Sequence, residues 1–259
     1  MALLELDLRS GALNNHEEVW VILPDREVPE DGYEVLWLFH GAHQDCSEWV
    51  RCSSIERYAN ERGLAVVMPS MLHSYGMDMK YGADYFTMVT EELWYELRWL
   101  LPCLSRKREK NFVAGNSMGG YIAYKWALTN PERFSGAGSF SGSLDIVSVL
   151  HKHIGEGKVD NHHYLANSFG SPEAVEGTGD DLFWLARDRQ DKGEALPRFW
   201  CVCGREDFGY ELCKNAVKTL REEGLSVEWQ EADGAHDFAY WDRQIEPFFD
   251  WLGLEKEVR

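Results

Sequence analysis

Three short runs, VLWLF at 35–39, LAVVM at 64–68 and FWCVC at 199–203, are apolar at every position. A strand built this way has no face to offer to water, so it belongs inside a parallel sheet covered by helices on both sides. Segments at 112–114, 136–140 and 227–231 are further short candidate strands, whereas "LLELDL" at 3–8 and "VWVIL" at 19–23 alternate and read as an antiparallel pair at one edge. Between the later strands apolar residues recur at helical spacing. One stripe comprises Tyr85, Val89, Leu93, Leu97 and Leu101 before Pro102, a second Leu212, Ala216, Val217 and Leu220, and a third Ile245, Phe248, Phe249 and Leu252. Strands alternating with helices predict a mostly parallel, doubly wound α/β sheet whose ligands bind beyond the carboxyl ends of the strands.

The segment 143–197 breaks this rhythm. It carries Gly, Asp and His clusters and only modest helical patterning around 147–151 and 182–187. An insertion of that length in a compact chain reads as a lid or binding element. With 259 residues, including 11 Trp, 11 Tyr and 12 Phe, the chain is expected to form one domain over 1–259 with 143–197 as its cap.

A formal charge of −18, with no Lys/Arg run to offset it, repels nucleic acid phosphates and anionic lipid, which speaks against nucleic acid and membrane partners. The N-terminal stretch lacks a basic region, a sustained apolar core and a small-residue cleavage site, and nowhere does an apolar run approach the roughly 18 residues of a membrane span. A cytoplasmic chain is expected, with Cys46, Cys52, Cys103, Cys201, Cys203 and Cys213 as reduced thiols and a homo-oligomer left open. Cys201-Val-Cys203 within a strand reads as two residues on one buried face rather than as a metal site.

Within "FVAGNSMGGYIAYKWAL", at 112–128, a serine stands between two glycines where a strand becomes a helix. Gly115-Asn116-Ser117-Met118-Gly119 matches Gly-x-Ser-x-Gly, a pattern that composition alone produces in about one such chain in eight, so its placement carries the weight. A tight turn there presents the hydroxyl of Ser117 on a corner that only glycine lets neighbouring segments approach. The N–H of Met118, at the start of the following helix, is aimed at an oxyanion on an attacked carbonyl. A second donor is expected from the turn after the third strand, "LWLFHGAHQD", at the N–H of Ala42.

A serine nucleophile needs a base, and the base needs an acid to hold its tautomer. Asp207 follows the 199–203 strand and His236 the 227–231 strand, so Ser117, Asp207 and His236 gather at one rim of one sheet. Glu206 competes for the acid's role; Asp207 is preferred because it stands one residue deeper in the loop and precedes an aromatic. Asp233 and Asp237 read as shaping the histidine loop.

These residues resemble the α/β-hydrolase esterases of the esterase D type, and within them the small bacterial tributyrin esterases. The likeness is carried by "LWLFHGAHQDCSEWVRCSSIERYANERGLAVVMPS", by "YGADYFTMVTEELWYELRWLLPCLSRKREKNFVAGNSMGGYIAYKWALTNPERFSGAGSFSG", by "CGREDFGYE" and by "GAHDFAYWD". The resemblance implies the α/β-hydrolase fold and hydrolysis of short acyl esters, with Ser117, Asp207 and His236 matching the family's triad and Ala42 and Met118 its oxyanion donors. Two positions depart from the pattern: Asn116, where such esterases often carry an apolar residue, and Ala42, where a larger one is common.

Aromatic and sulfur-rich loops offer candidate substrate walls, with Trp49, His73, Tyr81 and Trp241 as substrate-binding candidates and Met71, Tyr75 and Met77 nearby. The same residues serve equally as core or rim packing. His43, like His73, lies near the predicted site and is equally a satisfied loop histidine. His151-x-His153 and His162-His163 read as a solvated loop, and no metal or cofactor is called for. Expected, then, is a serine carboxylesterase acting on a small-molecule ester through an acyl-enzyme. An S-formylglutathione hydrolase-type thioesterase, an acetyl-sugar or acetylxylan esterase, and a non-catalytic binding protein on the same fold remain as alternatives.

Overall fold

A computed structural model describes residues 1–154 and 163–256. Eight strands form one sheet: β1 Ala2–Ser10, β2 Asn15–Leu23, β3 Glu34–Phe39, β4 Leu64–Pro69, β5 Asn111–Asn116, β6 Gly136–Phe140, β7 Arg198–Gly204 and β8 Val227–Ala232. Their spatial order is β1-β2-β4-β3-β5-β6-β7-β8. The first two pair antiparallel, β2 meets β4 antiparallel, and every pairing from β4 through β3 to β8 is parallel. All eight predicted strands are present, and the alternating pair is the edge.

The apolar runs divide by parity, because successive strand residues point to opposite faces. Val35, Trp37 and Phe39 join a core with the helix Met118–Thr129 on one face, while Leu36 and Leu38 join Trp200, Val202 and the helices Ile55–Arg62 and Phe238–Leu252 on the other. Both faces are therefore dry, as unbroken apolar strands require.

The predicted stripe from Tyr85 to Leu101 is helical but not uniformly α: Tyr85–Thr87 passes into a π segment, Met88–Leu93, and returns to α at Trp94–Leu100. A strict four-residue repeat drifts about 40° per step around an α-helix, and one wider π turn takes up part of that drift. Val89, Leu93 and Leu97 thereby stay buried, and Trp94 joins Trp37, Trp126 and Phe134 in an aromatic cluster. The helix stops before Pro102, whose ring excludes helical backbone from the residue preceding it.

In its described residues, the segment 143–197 is more helical than its composition suggests. Ile146–Ile154 and Leu182–Asp191 fall where patterning was seen, but His163–Phe169 and Pro172–Val175 do not announce themselves in the sequence. The Tyr121 hydroxyl donates to the Asp180 carbonyl at 2.7 Å, and Lys125 Nζ meets Asp180 Oδ1 at 2.7 Å. Both tie the 143–197 segment, at Asp180, to the helix that follows Ser117.

One core group works against stability. Glu17, on β2, is 3% exposed with Oε1 unpartnered among the described residues. Burial pushes its carboxyl up to about 9 against the pull of a Ser70 backbone hydrogen bond. Because the folded value lies above the unfolded one of 4.5, the group's contribution to stability is complete below about pH 4.5 and is lost as pH rises toward 9. Glu17→Gln keeps the volume and cannot ionise. It is expected to stabilise the protein by on the order of 2 kcal/mol at pH 8 and not at pH 4.5, read by denaturant unfolding at both. Equal effects at both pH values would show that Glu17 is already ionised in the fold.

Candidate active site

β5 ends at Asn116 and the next helix starts at Met118, leaving Ser117 alone on the corner at φ 53°, ψ −115°. That conformation costs a non-glycine residue about 1–3 kcal/mol and persists only where its surroundings enforce it. Here the Ser117 N–H donates to the Phe140 carbonyl at 2.9 Å, and the Ser117 carbonyl accepts from Gly120 N–H at 3.1 Å and Ser143 N–H at 3.2 Å. The flanking glycines have specific reasons. A Cβ on Gly115 would lie 2.5 Å from the Gly119 backbone, and one on Gly119 would lie 2.5 Å from the Phe39 carbonyl oxygen and 2.7 Å from that of His40. The corner therefore closes on itself and rests against the end of β3, where the turn carrying His40, Gly41 and Ala42 begins.

The loops after β7 and β8 are knitted together: Arg205 N–H donates to the Ala232 carbonyl at 2.9 Å and Glu206 N–H to that of Gly234 at 3.1 Å. From this frame Asp207 Oδ2 meets His236 Nδ1 at 2.8 Å, while Asp207 Oδ1 accepts the Gly209 N–H at 2.7 Å. Burial pushes the Asp207 carboxyl up, but the His236 hydrogen bond and charge, the Gly209 N–H and the Ser141 hydroxyl outweigh it and hold the group below its ordinary value. Glu206 turns the other way and accepts the N–H of Gly234. Asp237 caps the helix Phe238–Leu252, and Asp233 pairs with Arg205 at 2.7 Å. The exposed Phe208 ring lies 4.5 Å from the His236 ring.

The turn after β3, from which the second oxyanion donor is expected, is held by His40. Its Nε2 accepts the Met71 N–H at 2.8 Å, so the ring proton sits on Nδ1, which donates to the Gly41 carbonyl at 2.7 Å. Burial pulls His40 down to about 4, keeping it neutral in this role at ordinary pH. With the Gly41–Ala42 peptide trans, its N–H points away from the clamped carbonyl.

Ser117, His236 and Ala42 line two adjoining cavities. The larger, about 450 Å³, runs past Tyr75, Ser143, Val149, Tyr164 and Phe208. The smaller, about 290 Å³, is walled by Gln44, Asn116, Phe238 and Trp241. Of the four substrate-wall candidates, only Trp241 lines either cavity, and its Nε1–H also donates to Ser141 Oγ at 3.1 Å. His73 reaches the site through His43, 2.8 Å from Nε2 to Nδ1. Trp49 is buried against Phe140 and Phe238 with its N–H on the Phe39 carbonyl, and Tyr81 is 68% exposed; neither lines either cavity. Met71 and Met77 are core. Sequence reasoning passed over Val149, although its helix Ile146–Ile154 was patterned, and over Tyr164 and Leu165, on the short helix His163–Phe169 that has little patterning to mark it.

Among the described residues no group of three or more His, Cys, Asp or Glu is placed to hold a metal ion. All six cysteines are free thiols, with Cys201 Sγ 3.5 Å from Cys213 Sγ in the core. His151 and His153 lie on Ile146–Ile154 and His163 begins the next cap helix, while His162 falls outside the described residues.

An eight-stranded sheet in this order, with a serine elbow after β5 and an Asp–His pair beyond β7 and β8, defines the α/β-hydrolase fold of a serine hydrolase. The model of the Esterase family, described as "Putative esterase", matches residues 10–252, and the chain belongs to that family. It is a carboxylic ester hydrolase of the serine esterase type. An acetyl esterase of Caldicellulosiruptor saccharolyticus is 28% identical over 267 residues, covering 97% of this chain and 98% of that protein. Two Staphylococcus aureus structures are each 30% identical and cover 97% of this chain and 98% of theirs. One is FphF, a fluorophosphonate-binding serine hydrolase, with a TM-score of 0.88; the other is the S-formylglutathione hydrolase FrmB, with a TM-score of 0.85.

Proposed function

We propose that this esterase hydrolyses short-chain acyl esters by ping-pong acyl transfer, with Ser117 as nucleophile, His236 as general base and acid, and Asp207 as the group that orients His236. The observation that carries the assignment is that Ser117, on its strained corner, shares a cavity with His236, whose Nδ1 is already bound to Asp207. His236 takes the Ser117 proton as Oγ bonds to the ester carbonyl carbon, and the carbonyl oxygen becomes an oxyanion held by the N–H groups of Ala42 and Met118. Collapse breaks the bond to the leaving alcohol, which receives that proton from His236. A water deprotonated by His236 then attacks the acyl-enzyme and frees the acid and Ser117.

The chain works as one domain whose 143–197 segment caps the site. The smaller cavity suits a short acyl group and the larger takes the alcohol or thiol part against the cap. A cytoplasmic setting fits six free thiols and the lack, among the described residues, of any helix long and apolar enough to cross a membrane. In a panel of p-nitrophenyl esters from acetate to octanoate, kcat/KM is expected to peak at two to about four acyl carbons and then fall. A steady rise through octanoate would sink the short-chain reading. Likeness to FrmB favours a second reading as a thioesterase. A glutathione thioester, tributyrin and acetylated xylo-oligosaccharides in the same panel discriminate among the leaving groups.

A further inference from the structure

Asn116, the residue just before Ser117, is fully buried. Its Nδ2 donates to Gln44 Oε1 at 3.1 Å, and that same oxygen accepts the Gly41 N–H at 2.7 Å. These bonds fix both amides. The Gln44 atom must be an acceptor because it takes a backbone N–H, so the Asn116 atom facing it must be the donor. Asn116 Oδ1 is thereby turned away, buried and without a partner among the described residues. An apolar side chain would avoid that cost, so the donor side of the amide must matter more than the orphaned acceptor.

The contacts show where it matters. A Cβ on Gly41 would lie 2.8 Å from Asn116 Nδ2, 3.0 Å from Gln44 Oε1 and 3.4 Å from Ser117 Cβ, so the two amides are wedged between the elbow and the oxyanion turn. Gly41 is gripped on both sides, its N–H by Gln44 and its carbonyl by His40. Ala42, which carries the next N–H along the chain, lines both cavities that hold Ser117.

We propose that Asn116 is a positioning residue that acts through Gln44 to hold the Gly41–Ala42 peptide at the orientation in which the Ala42 N–H meets the transition-state oxyanion. The inference rests on the reading of Ala42 as an oxyanion donor and Ser117 as nucleophile. Such a strut leaves ground-state binding alone and affects only the charge that develops during attack.

Asn116→Leu and Gln44→Met remove the strut from either end, and Gln44 is only half-buried, so its variant folds even where the core substitution does not. With p-nitrophenyl acetate, whose one-methyl acyl group leaves most of the cavity walled by Gln44 and Asn116 unfilled, each is expected to lower kcat about 10- to 100-fold with KM within about twofold. Affinity for an alkyl trifluoromethyl ketone, whose adduct with Ser117 places an oxyanion in the same position, should fall by a similar factor. The double variant should be no worse than the poorer single one, because both changes cut one chain of bonds. Thermal stability of Asn116→Leu should be unchanged or higher. Unchanged kcat in Gln44→Met, losses that multiply in the double variant, or weakening confined to KM would overturn the proposal. Ser117→Ala separates the two levels. If it retains activity the underlying site assignment fails, whereas if it is inactive while Gln44→Met turns over normally, only the strut fails.

Discussion

Ser117→Ala is expected to lower ester turnover about a millionfold while leaving the protein folded, since a triad without its nucleophile keeps only the oxyanion donors and binding. Alanine retains the Cβ that makes φ 53° unfavourable, so the strain at the corner stays and the stability should match the parent. Ser117→Gly, by contrast, removes both hydroxyl and Cβ. It should be equally inactive and about 1 kcal/mol more stable, because glycine occupies that region freely. Turnover of p-nitrophenyl butyrate, thermal unfolding and mass-spectrometric mapping of a fluorophosphonate adduct test the three statements. Adduct on a serine other than 117, or Ser117→Ala activity within a hundredfold of the parent, would remove Ser117 from the chemistry.

The second large effect is expected at Asp207. Asp207→Asn preserves shape but offers an N–H to His236 Nδ1, which favours the tautomer with its proton on Nε2, where the serine proton must go. The loss in kcat should be about ten-thousandfold. Asp207 also contributes stability, because its carboxyl is held below the ordinary value. That contribution is present above the unfolded carboxylate range and disappears as pH falls through the folded value, so the variant is best compared near pH 7.5. Glu206→Gln is the control. It keeps an acceptor for the Gly234 N–H and should change kcat by less than about tenfold, whereas reversed magnitudes would make Glu206 the acid.

Much of this was legible before any coordinates. β3, β4 and β7 could be read because a segment buried on both faces has no polar position, and β1 and β2 could be set apart because one of their faces is wet. The serine elbow was legible because its glycines answer a local steric demand, 2.5 Å contacts at Gly115 and Gly119. The π turn was hidden, since a helical stripe with a four-residue repeat looks continuous whichever way the drift is absorbed. Short cap helices such as His163–Phe169 were hidden for another reason: their apolar residues are few, and they are held by packing rather than by pattern. Trp49 and Tyr81 stand near site motifs along the chain, yet one ring turns into the core and the other into solvent, because nearness in sequence does not say which way a side chain points.

The sequence by itself determined the sheet, the corner at Ser117 and the loops from which an acid and a base must come, because strand burial, helical period and glycine spacing are short-range constraints. Only the tertiary structure decided that Asp207 rather than Glu206 meets His236, that Trp49 packs inward, and that Asn116 reaches across to Gln44 and Gly41. Each of those outcomes depends on where loops distant in the chain come to rest against one another, and hydrogen bonds of about 3 Å discriminate between neighbouring side chains that a sequence pattern treats alike.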